Sequence, residues 1–411
     1  MASSKTNKTI LDNGLTIVTE KIDSVKSVSA GIWVKTGSRN ETDAQAGVTH
    51  FLEHMLFKGT EKRSSYDIAL SMESVGGFLN AFTSSEYTCY YARCLSSQLP
   101  RALDVLSDMV LHPTFPEDEM EKEKKVVIEE MKMYRDSPRD YLFEKFNAQI
   151  FKENSLGRPV IGYEETVNSF ERANLYDYMK DRYQPDNLLI AVAGDVEHEK
   201  AVSLAQEHFE KVQTGETQNG RSELSHYKPG NQMLSKAIEQ THFIIGKRGL
   251  SFDDDDKYRL LITNAILGGG MSSRLHQNVR EKYGYCYTIG SFNQTFSDTG
   301  LYGIYTGTDI DYVEHVEELV KKELKRLQDE AVPQKELDEA KAQLKGKLLL
   351  SLENTSNRMR RIAKGELYYG RFISVDELTE NIEAIDAAEI QEFSQSFFDE
   401  AQFSKAILKP E

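Results

Sequence analysis

Stretches rich in β-branched and aromatic residues alternate along the chain with stretches of helical period. "SVSAGIWVKTG" (27–37) reads as a strand, and "GGFLNAFTSSEYTCYYARCL" (76–95) reads as two more. Between them, "HFLEHMLFKGT" (50–60) places apolar residues at helical spacing but interrupts them with His50, Glu53 and His54. The second half repeats this order. "THFIIGKRG" (241–249) precedes the helix-like "YRLLITNAILGG" (258–269), and strands follow at "YCYTIGSFNQTF" (285–296) and "GLYGIYTGTD" (300–309). The acidic "FDDDDK" just before that second helix suits a solvated helix N-terminus.

A pair of helix starts strengthens the repeat. "FPEDEMEKEKKVVIEE" (115–130) parallels "VPQKELDEAKAQLKGK" (332–347), with Pro116 facing Pro333 and Glu119 facing Glu336. Proline in a first helical turn with acids close behind is a helix N-terminus in chemical terms. At the same offset Glu123 becomes Ala340 and Glu130 becomes Lys347, so the halves share a scaffold and differ in chemistry. The polar run "KVQTGETQNGRSELSHYKPGN" (211–231) divides them. The expectation is α+β: two homologous domains, 1–212 and 233–411, joined by a linker at 213–232. Each has an antiparallel-rich sheet with helices packed on one face.

Composition narrows the function. A chain of 411 residues exceeds one ordinary core. Its net charge of −16 opposes nucleic-acid phosphates, and it either serves solubility alone or attracts cationic ligands, basic peptides among them. No apolar run reaches the length of a membrane span. The first residues lack the layout of a signal peptide. The expected compartment is therefore the cytoplasm, or the mitochondrial matrix if a presequence has been removed. Three cysteines (Cys89, Cys94, Cys286) indicate no disulfide framework.

The interrupted helix carries the candidate chemistry. His50 and His54, four apart, share one helix face, and Glu53 lies near it. Two imidazoles at this spacing can take two corners of a zinc tetrahedron, while a neighbouring carboxylate outside the metal shell takes a proton from water. A third ligand is needed, and the acidic helix "EKEKKVVIEEMKMY" is its natural source. Glu123 and Glu130 fall on one side of that helix, with Glu129 about 100° round from Glu130. From spacing alone, an ordinary solvated face is as good a reading of these acids.

The stretches "GVTHFLEHMLFKGT", "GGFLNAFTSSEYT", "EKKVVIEEMKM", "LGRPVIGYEE" and "GGGMSSRLHQNVREKYGYCYTIG" together resemble the pitrilysin, insulinase and mitochondrial processing peptidase family of zinc endopeptidases. The likeness spans essentially the whole chain. It is greatest to the processing-peptidase β subunit and its short bacterial relatives. In that family the H-x-x-E-H motif is followed, about 76 residues after its second histidine, by a glutamate ligand, which selects Glu130 here. The resemblance implies Zn²⁺ held by His50, His54 and Glu130, with Glu53 as general base and Glu123 supporting the site. It places a peptide along the edge strand at Asn80 and Ala81. It assigns Arg280 and Tyr287 to substrate and oxyanion, and Asp140 and Glu144 to a substrate arginine. It also implies a clam-shell enclosing a peptide chamber, and a homodimer or a heterodimer. The rival role is a non-catalytic scaffold, like family members whose zinc motif has degraded.

Overall fold

The computed structural model describes residues 5–215 and 221–411. Residues 216–220 of the expected linker lie outside the described residues. Two compact units emerge, but they do not follow the contiguous division at 212 and 233. The first joins Met1–Met133, Arg158–Glu223 and Ser351–Phe372. The second joins Tyr134–Gly157, Leu224–Leu350 and Ile373–Glu411.

Six strands make the sheet of the first unit: β1 (Lys5–Ile10), β2 (Thr16–Lys21), β3 (Ser27–Val34), β4 (Phe78–Thr83), β5 (Thr88–Leu95) and β6 (Leu188–Gly194). The second sheet has β7 (Asn231–Lys236), β8 (Thr241–Gly249), β9 (Cys286–Thr295), β10 (Gly300–Thr308) and β11 (Ser404–Pro410). β7 thus starts inside the expected linker. Their spatial orders are β1-β2-β6-β3-β5-β4 and β7-β11-β8-β10-β9. With β1 set aside, the two orders superpose strand for strand. In each, only the pair β2–β6 or β7–β11 is parallel, and the other pairings are antiparallel. The repeat read from the sequence is a repeat of topology.

Both faces of each sheet are covered. On one face of the first sheet, Val28, Ala30, Ile32 and Val34 pack with the helices Val48–Met55 and Leu99–Leu111. On the other, Trp33, Leu189 and Ala191 meet Met359, Ile362 and Ala363 of the helix Thr355–Tyr369. The second sheet mirrors this. Phe243, Tyr302 and Ile304 face its own half's helices, whereas Ile244, Leu301 and Leu408 meet Leu142, Phe146 and Ile150 of the helix Pro138–Ile150. Each half therefore sends one helix to the other half's sheet, which is why the units are discontinuous. Burial on both faces also explains why β6 and β10 are buried throughout and read as continuous rather than alternating runs. No described helix is long and apolar enough to cross a membrane. The three cysteines are free and buried.

Candidate metal centre

The polar and apolar residues of the interrupted helix lie on separate faces. In the helix Val48–Met55, Val48, Phe51, Leu52 and Met55 are buried in the core of the first unit, while His50, Glu53 and His54 share the opposite side. The helix begins at Gly47, whose backbone is left-handed (φ +92). A Cβ on Gly47 would meet Ile161 O at 2.6 Å, and one on Gly162 would meet Ala46 O at 2.4 Å. The two glycines let the "LGRPVIGYEE" loop press against the helix start. Arg158 from that loop donates to Glu41 O and to Asp43. Buried Glu41 serves as the missing cap, its carboxylate accepting from Gly47 N (2.8 Å) and Thr49 N (2.9 Å).

The acidic helix Glu117–Asp136 brings its carboxylates to this face. Glu130 Oε2 stands 3.9 Å from His50 Nε2 and 3.7 Å from His54 Nε2. One ligand atom from each of the three lies within 4.8 Å of the others, and no other such cluster occurs among the described residues. Corners of a zinc tetrahedron with bonds of about 2.0–2.2 Å are roughly 3.3–3.6 Å apart. Two imidazoles and a carboxylate at these separations fit that ion with a small inward shift. Glu129 points elsewhere, 71% exposed and paired with Lys132.

Supporting contacts fix the three groups. Glu123 Oε1 lies 2.8 Å from His54 Nδ1, and its Oε2 accepts from Lys58 Nζ at 2.6 Å. Thr83, the last residue of β4, donates to Glu53 Oε2 at 2.5 Å. Burial, with the charge of His54 beside it, pulls His50 down to about 3, so its ring is neutral. Burial also lowers His54, but its bond to Glu123 and the surrounding carboxylates outweigh it and leave the net shift upward. Burial pushes the Glu53 carboxyl up, partly opposed by Thr83. Asn80 and Ala81 sit on β4, an edge strand that among the described residues pairs only with β5 and runs beside the helix of the histidines.

The remaining expected residues belong to the second unit. Arg280 lies in the π-helical turn His276–Glu281, where it donates to His276 Nε2 at 2.7 Å, and Tyr287 stands 76% exposed on β9. Asp140 sits in the first turn of the helix Pro138–Ile150, and Glu144 accepts from Lys145 at 2.8 Å. The sequence reading missed Glu41, Lys58 and Thr83. An acid shortly before a glycine-started helix was a legible sign for Glu41 alone.

A histidine pair and a carboxylate able to hold a metal are thus built into one of two like α+β units. Residues 16–164 match "Insulinase (Peptidase family M16)", and residues 169–344 match "Peptidase M16 inactive domain". The chain belongs to peptidase family M16, the insulinase family. It is 39% identical to the "Uncharacterized zinc protease YmxG" of Bacillus subtilis, covering 97% of each chain. It is 37% identical to an "Uncharacterized zinc protease" of Rickettsia felis, covering 97% of this chain and 96% of that one. The same fold is found in a protease from Helicobacter pylori, with a TM-score of 0.94 at 22% identity over 99% of this chain and all of that one.

Proposed function

We propose that this chain is a zinc-dependent metalloendopeptidase that hydrolyses peptides, basic ones among them. The observation that carries the reading is the convergence of His50 Nε2, His54 Nε2 and Glu130 Oε2, with Glu53 on the same helix face. The names of the relatives as zinc proteases support it. His50, His54 and Glu130 would hold a Zn²⁺, which would supply Lewis-acid polarisation of the scissile carbonyl and a water acidic enough to attack near neutral pH.

The protein's own groups do the rest. A substrate strand pairs with the open edge of β4 at Asn80 and Ala81, which grips backbone without demanding a sequence. Thr83 ends that strand and holds Oε2 of Glu53, so the base is set at the end of the substrate track. Glu53 takes the proton of the attacking water and returns it to the leaving amine. Breaking the C–N bond thus needs no proton from bulk solvent.

Metal analysis of the purified chain, beside its cleavage of a quenched basic peptide, tests this. About one zinc per chain with chelator-sensitive cleavage is expected. Stoichiometric zinc without cleavage would favour the scaffold role, and absence of zinc binding would overturn the reading.

A further inference from the structure

The two histidines are held unequally. His54 has a carboxylate on its far nitrogen, Glu123 Oε1 at 2.8 Å. His50 Nδ1 is buried and has no hydrogen-bond partner among the described residues. The difference continues outward, because the second oxygen of Glu123 is taken by Lys58 Nζ at 2.6 Å. We infer that Lys58 is a positioning residue of the metal site, acting through Glu123 to hold the His54 ring with its Nε2 lone pair turned towards the metal. The inference rests on the zinc reading above and goes beyond it.

Glu123 is buried, on the helix Glu117–Asp136, and its carboxylate can swing about its terminal torsion unless both oxygens are engaged. Lys58 engages one from the segment just past the helix end at Met55, where its backbone N–H bonds Met55 O. Its ammonium therefore reaches Glu123 from the same short stretch of chain that carries both histidines. With Oε2 taken, Oε1 accepts from Nδ1–H of His54. That bond selects the tautomer whose free lone pair is on Nε2, the atom 3.7 Å from Glu130. Surface lysine–glutamate pairs usually contribute little. This one differs because its carboxylate is buried and already committed to a ligand.

The test uses the full chain as wild type, Lys58→Met and Lys58→Arg. Zinc affinity is measured by competition with a chromophoric chelator, and the His54 tautomer by ring ¹⁵N shifts of the zinc-free protein at a pH above the His54 transition, where the ring is neutral. Lys58→Met should weaken zinc binding about 10–100-fold, in the range typical of lost outer-shell partners, and mix the two tautomers of His54. Lys58→Arg, which still donates to Glu123, should restore most of both. Lys58→Leu, which likewise donates no hydrogen bond, replaces the Met variant if that one misfolds. A merely structural role would lower thermal stability and leave the tautomer alone. An unchanged tautomer, or zinc affinity within about twofold of wild type in Lys58→Met, overturns the inference. Tight zinc binding by the wild type in that experiment would leave the peptidase reading standing.

Discussion

In the first unit the long acidic helix turns Glu123 and Glu130 to the helix of His50 and His54. In the second, the matching helix Gln334–Ser351 carries Ala340 and Lys347 at those positions. Ala340 is buried in the apolar core, and Lys347 Nζ reaches Gly269 O at 3.3 Å, at the end of the helix Lys257–Gly268. The strand orders are the same, and the chemistry is not. A carboxylate that gathers imidazoles in one copy is, in the other, a cation at a helix C-terminus, where the helix dipole favours it. The fold is shared while the side chains at the site differ, as expected when function resides in a few grafted side chains.

The largest effects should come from breaking this asymmetry. Glu130→Gln should abolish stoichiometric zinc, whereas Lys347→Gln should leave it intact. Glu53→Gln should keep zinc and lose roughly 10²–10⁴-fold in peptide hydrolysis, the usual contribution of a general base. Zinc content and turnover measured on one preparation separate the two outcomes. Zinc lost from Lys347→Gln, or full activity in Glu53→Gln, would remove the distinction between the units.

How much of this was legible in the chain depended on whether a signal was periodic. The strand at 27–37 and the paired prolines 116 and 333 were readable because a repeat or an alternation spans many residues. The exchange of the helices Pro138–Ile150 and Thr355–Tyr369 was not. Helical spacing shows that a helix has an apolar face without saying which sheet receives it. Pro138 was the one local mark, since the chain passes from one unit to the other close to it. The histidines announced themselves by spacing. Lys58, Thr83 and Glu41 are single polar residues whose roles arise from partners that only folding brings near.

The exchanged helices give the second way to sharpen the comparison. Trp33, the only tryptophan, donates Nε1–H to Met359 Sδ at 3.3 Å, so its fluorescence reports on the cover of the first sheet. Phe146 fills the matching place under the second sheet. Met359→Ala should cost about 2–5 kcal/mol and Phe146→Ala about 3–5 kcal/mol, through lost burial and the cavity left behind. In denaturant melts the fluorescence transition should move with Met359→Ala and lag behind circular dichroism in Phe146→Ala. Coincident transitions in both variants would mean that the units unfold as one cooperative block.

The smallest effect concerns pH, where the units should pull in opposite directions. Burial pushes Glu41, the cap of the His50 helix, up to about 7 from its ordinary 4.5. An acid with a raised folded pKa binds more protons folded than unfolded, so its contribution to stability falls as pH rises from about 4.5 to about 7. In the second unit, burial pulls Lys247 down to about 8 from 10.5, with its Nζ held by Phe397 O and Gln402 Oε1. There the unfolded chain binds more protons between those values, so stability rises with pH from about 8 to about 10.5. Each slope amounts to on the order of 3 kcal/mol at most, at about 1.4 kcal/mol per pH unit. Glu41→Gln imitates the protonated acid and should flatten the acidic slope alone, while Lys247→Met should flatten the alkaline one alone. Midpoints of chemical denaturation measured across pH 4–11 in the zinc-free chain give both slopes. If Glu41→Gln leaves the fall between pH 4.5 and 7 untouched, the buried carboxylate at the helix start is not its source.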